Sequence, residues 1–193
     1  MKQIILVVVA GLALLGTSTP AAATIISYSE QGLATGSLGG NAFTNALVTI
    51  IGIGNTANVT SSAGIFRNVM SSATVSVAGI GTATITSSIE VFSNQLFQPT
   101  AAGGFGLAGG NGSIFDTINA QFATYDLGSA IGPLTGASLI NAAVNTNTTL
   151  GVLNFTSAQN STFIAGAPEP GSWMLMGLGF SALVVKLRRR LTN

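Results

Sequence analysis

Thr74-Val75-Ser76-Val77-Ala78-Gly79-Ile80-Gly81-Thr82-Ala83-Thr84-Ile85-Thr86 alternates hydroxyl and apolar side chains on both sides of a Gly-Ile-Gly step. Successive side chains of a strand point to opposite faces, so a period of two is the pattern of a half-buried sheet. The glycines supply the positive-φ conformations that a turn or bulge needs. The stretch reads as strand, turn, strand, with one face turned to a core.

An earlier stretch is a partial copy of it. Val48-Thr49-Ile50-Ile51-Gly52-Ile53-Gly54 parallels Val75 to Gly81 and, with one extra residue at Asn55, Thr56 to Ser62 parallels Thr82 to Ser88. Each copy is expected to fold as strand, Gly-Ile-Gly turn, strand, and two such hairpins suggest an antiparallel sandwich. Further short segments with strand chemistry are 24–29, 46–52, 57–61, 65–70, 73–78, 83–87, 89–96, 113–117, 122–125, 149–155 and 162–165. Residues 114–123 suit either strand or one or two helical turns. The expected fold is all-β, an antiparallel sandwich or jelly-roll-like domain over residues 24–156. Residues 103–112 are Gly-rich and lack the Lys and Ser/Thr of a phosphate-binding loop, so a long flexible surface loop is expected there. Residues 157–166 read as a polar linker.

Composition limits the chemistry. Between Thr24 and Ala167 the charged residues are Glu30, Arg67, Glu90, Asp116 and Asp126, four acids against one base, for a net charge of −3. One basic residue makes no phosphate-binding patch, so nucleic acid is not an expected partner. The chain contains no Cys, so this stretch must be held by its core alone. It contains no His, the commonest general base and metal ligand, so Ser/His/Asp and Cys/His sets are impossible. Asp116, Asp126 and Glu90 are the remaining acids for a hydrolytic pair or a Ca²⁺ site, but no Asp-x-Asp-x-Asp-Gly run is present, and solvated surface carboxylates are expected. Arg67 is expected to pair with one of the acids or to lie on a sheet face. No catalytic residue, metal or cofactor is assigned.

The two ends have a different physics. Ala167 is followed by Pro168-Glu169-Pro170-Gly171-Ser172, and the prolines stiffen that stretch into an extended one. Trp173 to Val185 is almost wholly apolar, with Leu175, Leu178, Phe180 and Leu183 among its residues, and Trp173 sits where an interfacial aromatic belongs. Lys186, Arg188, Arg189 and Arg190 follow as a basic stop that the positive-inside rule keeps cytoplasmic. From Trp173 to Leu187 is 15 residues, short for a bilayer core that asks for about 20. At the other end Lys2 precedes an apolar run from Ile4 to Leu15, and Ala21-Ala22-Ala23 places Ala21 and Ala23 at the −3 and −1 positions of a cut. That is the layout of a signal peptide over residues 1–23.

Residues 167–193 resemble the PEP-CTERM sorting signal, which Gram-negative bacteria use to deliver proteins to exosortase; Ala167 stands where many members carry Val. The resemblance implies recognition and cleavage near Pro168-Glu169-Pro170, with Glu169 as a recognition residue and the chemistry supplied by exosortase. The expected partners are signal peptidase, exosortase and the inner membrane. The expected course is export across that membrane, transient anchorage by the tail, then periplasm, cell surface or matrix. The expected function is that of a non-enzymatic structural or interaction protein of the surface or of an exopolysaccharide or biofilm matrix. Self-association through sheet edges is a further expectation, from the scarcity of charge. One alternative is a carbohydrate-binding module with Tyr28, Tyr125 and exposed Phe side chains as its platform; the other, a secreted hydrolase, is disfavoured by the missing His and few acids.

Overall fold

The alternation of Thr74 to Thr86 extends over most of the chain. The computed structural model describes residues 24–166. The expected signal peptide with Ala21 and Ala23, the motif Pro168-Glu169-Pro170, the apolar run from Trp173 to Val185 and the basic residues from Lys186 to Arg190 all lie outside the described residues. Among the described residues there is no α-helix, and none long and apolar enough to cross a membrane.

Two long strands open the fold, β1 (Ile25–Leu38) and β2 (Asn41–Asn55), joined at Gly39 and Gly40, both at positive φ. A 3-10 turn (Thr56–Asn58) leads to β3 (Thr60–Ser62) and β4 (Ile65–Val69). The hairpin of β5 (Ser72–Val77) and β6 (Gly81–Thr84) comes next, then the meander of β7 (Ile89–Asn94), β8 (Ala102–Leu107) and β9 (Ser113–Ile118). A second 3-10 turn (Ala120–Thr124) precedes β10 (Ile131–Gly136), β11 (Ser138–Leu139), β12 (Thr146–Thr148) and the 16-residue β13 (Gly151–Gly166).

The strands form two antiparallel sheets. Sheet A runs β10-β13-β1-β2-β5-β6, with β12 also on β13; sheet B runs β11-β9-β8-β7-β4-β3. The all-β, two-layer expectation holds. One end of sheet A nearly closes on itself: Ile85 bridges Thr148, Thr86 N–H donates to Asn147 O at 2.8 Å, and Thr149 N–H donates to Thr84 O at 2.9 Å. The strands β13-β1-β2-β5-β6-β12 thus form a ring at that end, which leaves no free backbone edge there. Inward-facing residues alternate along β1, with Ile26, Tyr28, Glu30, Gly32 and Ala34 buried. Two aromatic groups fill the space between the sheets. Phe43, Phe155 and Phe115 pack at centroid distances of 6.1 and 5.5 Å, and Phe163 packs on Phe122 at 5.2 Å and on Tyr28 and Tyr125 at 6.3 Å.

Several local expectations are corrected. The second Gly-Ile-Gly is a turn, but the first lies inside β2, so the copies do not fold alike. A Cβ on Gly52 would stand 2.8 Å from Phe105 Cε1 and one on Gly54 2.8 Å from Asn68 Nδ2, so these glycines clear room for the opposite sheet. The Gly-rich stretch is not one loop: residues 102–107 are the inner strand β8, and only 108–112 turn. Gly103 lets Phe122 close on the strand, since a Cβ there would meet Phe122 Cε1 at 2.4 Å. Residues 122–125, expected as strand, end the second 3-10 turn, and 57–61 divides between the first turn and β3. The polar linker of 157–166 is the second half of β13. Ser161, Phe163 and Ala165 face the core while Ser157, Gln159, Asn160 and Thr162 are open to solvent, so the polarity of the stretch marks a solvent face.

Gly103→Ala should therefore destabilise the fold by about 1–3 kcal/mol through overpacking against Phe122. Gly166→Ala, whose Cβ would meet nothing within 4 Å, should stay within about 0.5 kcal/mol of the parent. Urea unfolding of the two variants makes the comparison.

Candidate functional site

The strand register of sheet A builds a surface that no single segment contains. Thr135, Thr162, Gln31, Thr49, Ser76 and Thr82 are successive cross-strand neighbours from β10 to β6. All six lie in the phase opposite to the buried residues of their strands. Neighbouring strands lie about 4.8 Å apart, so this row of hydroxyls and one amide crosses about 24 Å of sheet. Its members are tied together laterally. Thr135 and Thr162 hydroxyls are 2.9 Å apart, Gln31 Nε2 donates to Thr49 Oγ1 at 3.0 Å, and Thr82 Oγ1 donates to Ser76 Oγ at 3.1 Å. Beside it runs a second row, Ile164, Ser29, Ile51, Thr74 and Thr84. Among the described residues no charge lies on this face. Glu30 points inward, Arg67, Glu90 and Asp116 belong to sheet B, and Asp126 sits in the loop before β10.

The carboxylates expected on the surface are mostly buried. Glu90 is 2% exposed and is clamped by the Arg67 Nη1 ion pair and by the N–H groups of Gly109 and Gly110, at 3.0 and 3.3 Å. The clamp pins the 108–112 turn to sheet B and fulfils the expectation that Arg67 pairs with an acid. A small cavity of about 120 Å³ opens beside it, lined by Arg67, Glu90, Phe92, Asn94 and Ser113 among others.

Glu30, which the sequence reading assigned no role, has no exposed surface. Its Oε1 accepts Thr117 Oγ1 at 2.7 Å, Thr117 Oγ1 is 2.5 Å from Ser161 Oγ, and Ser161 Oγ donates to the Asp116 carbonyl at 3.3 Å. Glu30 Oε2 and Asp116 Oδ1 are buried without a hydrogen-bond partner. Burial, and then the neighbouring Asp116 carboxylate, pushes Glu30 well above the usual carboxylate range. Burial also pushes Asp116 up to about 7, against the Ser113 hydroxyl that donates to its Oδ2. Asp126 has other company: its Oδ1 accepts Gly128 N–H at 2.9 Å. The clue to Glu30 was in the sequence, since it stands in phase with Ile26 and Tyr28. Its partners Thr117 and Ser161 come from β9 and β13 and needed the fold to be found.

The aromatic platform is overturned. Tyr28 and Tyr125 are 0% and 4% exposed, and no Phe or Tyr among the described residues is exposed. The Tyr28 hydroxyl donates to Leu127 O at 2.7 Å and accepts from Asn68 Nδ2 at 3.0 Å, and the Tyr125 hydroxyl donates to Ser129 O at 2.8 Å. Both rings are core, and burial raises both phenols, Tyr28 to about 12.

The beginning of β1 and the end of β13 are neighbours, with Ser27 opposite Gly166. The described chain therefore enters and leaves at one end of sheet A. Immediately after Gly166, residues 167–190 match the family model of the PEP-CTERM protein-sorting motif. The motif implies export, membrane-associated sorting and processing by exosortase. No curated protein and no solved structure matches the chain.

The buried acids make stability depend on pH with a definite sign. A carboxyl whose folded pKa is raised binds its proton more tightly folded than unfolded. Its contribution is full below the unfolded value and is lost as pH rises, through about 7 for Asp116 and beyond the usual carboxylate range for Glu30. The melting temperature should fall between pH 5 and pH 8. Glu30→Gln and Asp116→Asn should each flatten that slope; thermal melts across the range read it out.

Proposed function

We propose that this is a non-enzymatic structural or interaction protein of the cell surface or extracellular matrix, delivered by exosortase, with the outer face of sheet A as its contact surface. The observation that carries the reading is the six-strand row from Thr135 to Thr82. A broad face of neutral hydroxyls and β-branched side chains repels neither a second sheet nor an uncharged polymer. It also offers donors and acceptors at a regular spacing, which suits the repeated hydroxyls of an exopolysaccharide. The sealed positions of Glu30 and Asp116 support a non-catalytic reading, because a substrate has no route to their oxygens.

Two experiments test it. With one epitope inserted after Gly79, in an open turn, and another after Asn193, the tags should separate only in cells that contain exosortase, and the domain should then leave the inner membrane. Tags that stay together in both strains would make the tail a plain anchor. In the processed protein, Thr49→Lys with Ser76→Lys should leave the melting temperature nearly unchanged and cut retention in the extracellular matrix several-fold. Unchanged retention would remove the face from the reading.

A further inference from the structure

At the end of sheet A where the chain enters and leaves, the outer face carries an apolar patch. Ile25, Ile51 and Ile164 are 49%, 41% and 45% exposed. Ile164 and Ile51 flank Ser29 on adjacent strands, and Ile25 lies on the same face of β1, with Ile53 half-buried beside Ser27. No charge interrupts them among the described residues. Six residues separate Gly166 from Trp173. Fully extended, they reach about 20 Å. Because 157–166 is strand and not linker, nothing else spaces the domain from the apolar run that follows.

We propose that, before the tail is cut, the sandwich rests on the lipid surface through the patch of Ile25, Ile51 and Ile164. The inference rests on the reading of residues 173–185 as a membrane segment. Three half-exposed isoleucines are a weak contact alone, but a tether this short holds the patch at an effective concentration in the millimolar range. Membrane-surface contacts made by apolar side chains grow with the area buried. With no basic residue on the face, the contact needs no anionic lipid and is insensitive to salt. Cutting the tail removes the tether, and the patch then lets go. The isoleucines held at the bilayer before processing thereby join the open contact face afterwards.

The absence of cysteine from the chain makes the test clean. Full-length protein is taken from inner membranes of cells lacking exosortase and reconstituted into phosphatidylcholine vesicles, with and without phosphatidylglycerol. Single labels are placed by Ile25→Cys, Ile51→Cys and Ile164→Cys, and for comparison by Leu150→Cys, just before β13, and Val152→Cys, at its far end. Lipids carrying a shallow nitroxide should quench the isoleucine-site labels several-fold more than the comparison labels, equally in both lipid mixtures. Equal quenching at both ends in protein that floats with the vesicles overturns the docking and leaves the tail reading intact. Protein that does not float overturns both. The three isoleucine positions report independently, so a variant that fails to fold leaves the other two to decide.

Discussion

The register of β1 between β2 and β13 is the constraint on which the structure depends. Residues 27–38 are paired on both sides along most of their length, with irregularities confined to the stretch from Gly32 to Gly36. Side chains alternate with a period of two, so a slip of one residue would turn Tyr28 and Glu30 outward and send Ser29 and Gln31 into the core. Glycine permits this packing at its tightest points. At Gly36 a Cβ would stand 2.0 Å from the Asn154 carbonyl oxygen, and at Gly32 it would stand 2.9 Å from the Phe115 ring. The same register draws the hydroxyl row on the other face, so core and contact surface are two sides of one alignment.

Glu30 shows what that alignment costs. A carboxyl in the inward phase of β1 must be desolvated, and Thr117 donates to its Oε1. Keeping it protonated is the cheaper way to bury it. Ser161 and Thr117 come from different sheets, and their hydroxyl chain ties β13 to β9 beneath the acid. A buried polar network of this kind stabilises little in net terms, but it penalises any packing that leaves its members unpaired.

The two-layer β architecture was legible because it rests on a local signal, the alternation of Thr74 to Thr86 and its relatives. Strand extents were not. Gly52, Gly54, Gly103 and Gly104 read as loop because glycine marks turns, whereas here each clears space for a side chain or backbone packed against its strand. The stretch 157–166 read as linker because its hydroxyls are polar, and only its position between β10 and β1 reveals that Ser161, Phe163 and Ala165 are covered. The alternative of a platform built on Tyr28 and Tyr125 stayed open for a similar reason, since nothing in one chain shows that Leu127 O and Ser129 O satisfy their hydroxyls. The row from Thr135 to Thr82 draws on six strands, with one residue from each, and exists only in the register. The sorting motif was legible because its meaning lies in contiguous residues, and the family match at 167–190 falls on it.

The pairing of the first strand with the last sets an order of events. β13 is the final described element, yet it sits inside sheet A, and no earlier strand substitutes for it on the flank of β1. A chain threaded out from its N-terminus can form the β1–β2 hairpin and the β7–β8–β9 meander early. The sandwich must wait for Gly166, because non-local pairings of this separation close late. The sorting motif begins one residue further on. The strand that completes sheet A and the sorting motif are therefore contiguous in the chain, the one ending where the other begins. A chain cut short before β13 lacks both a finished sheet and the residues of the sorting motif.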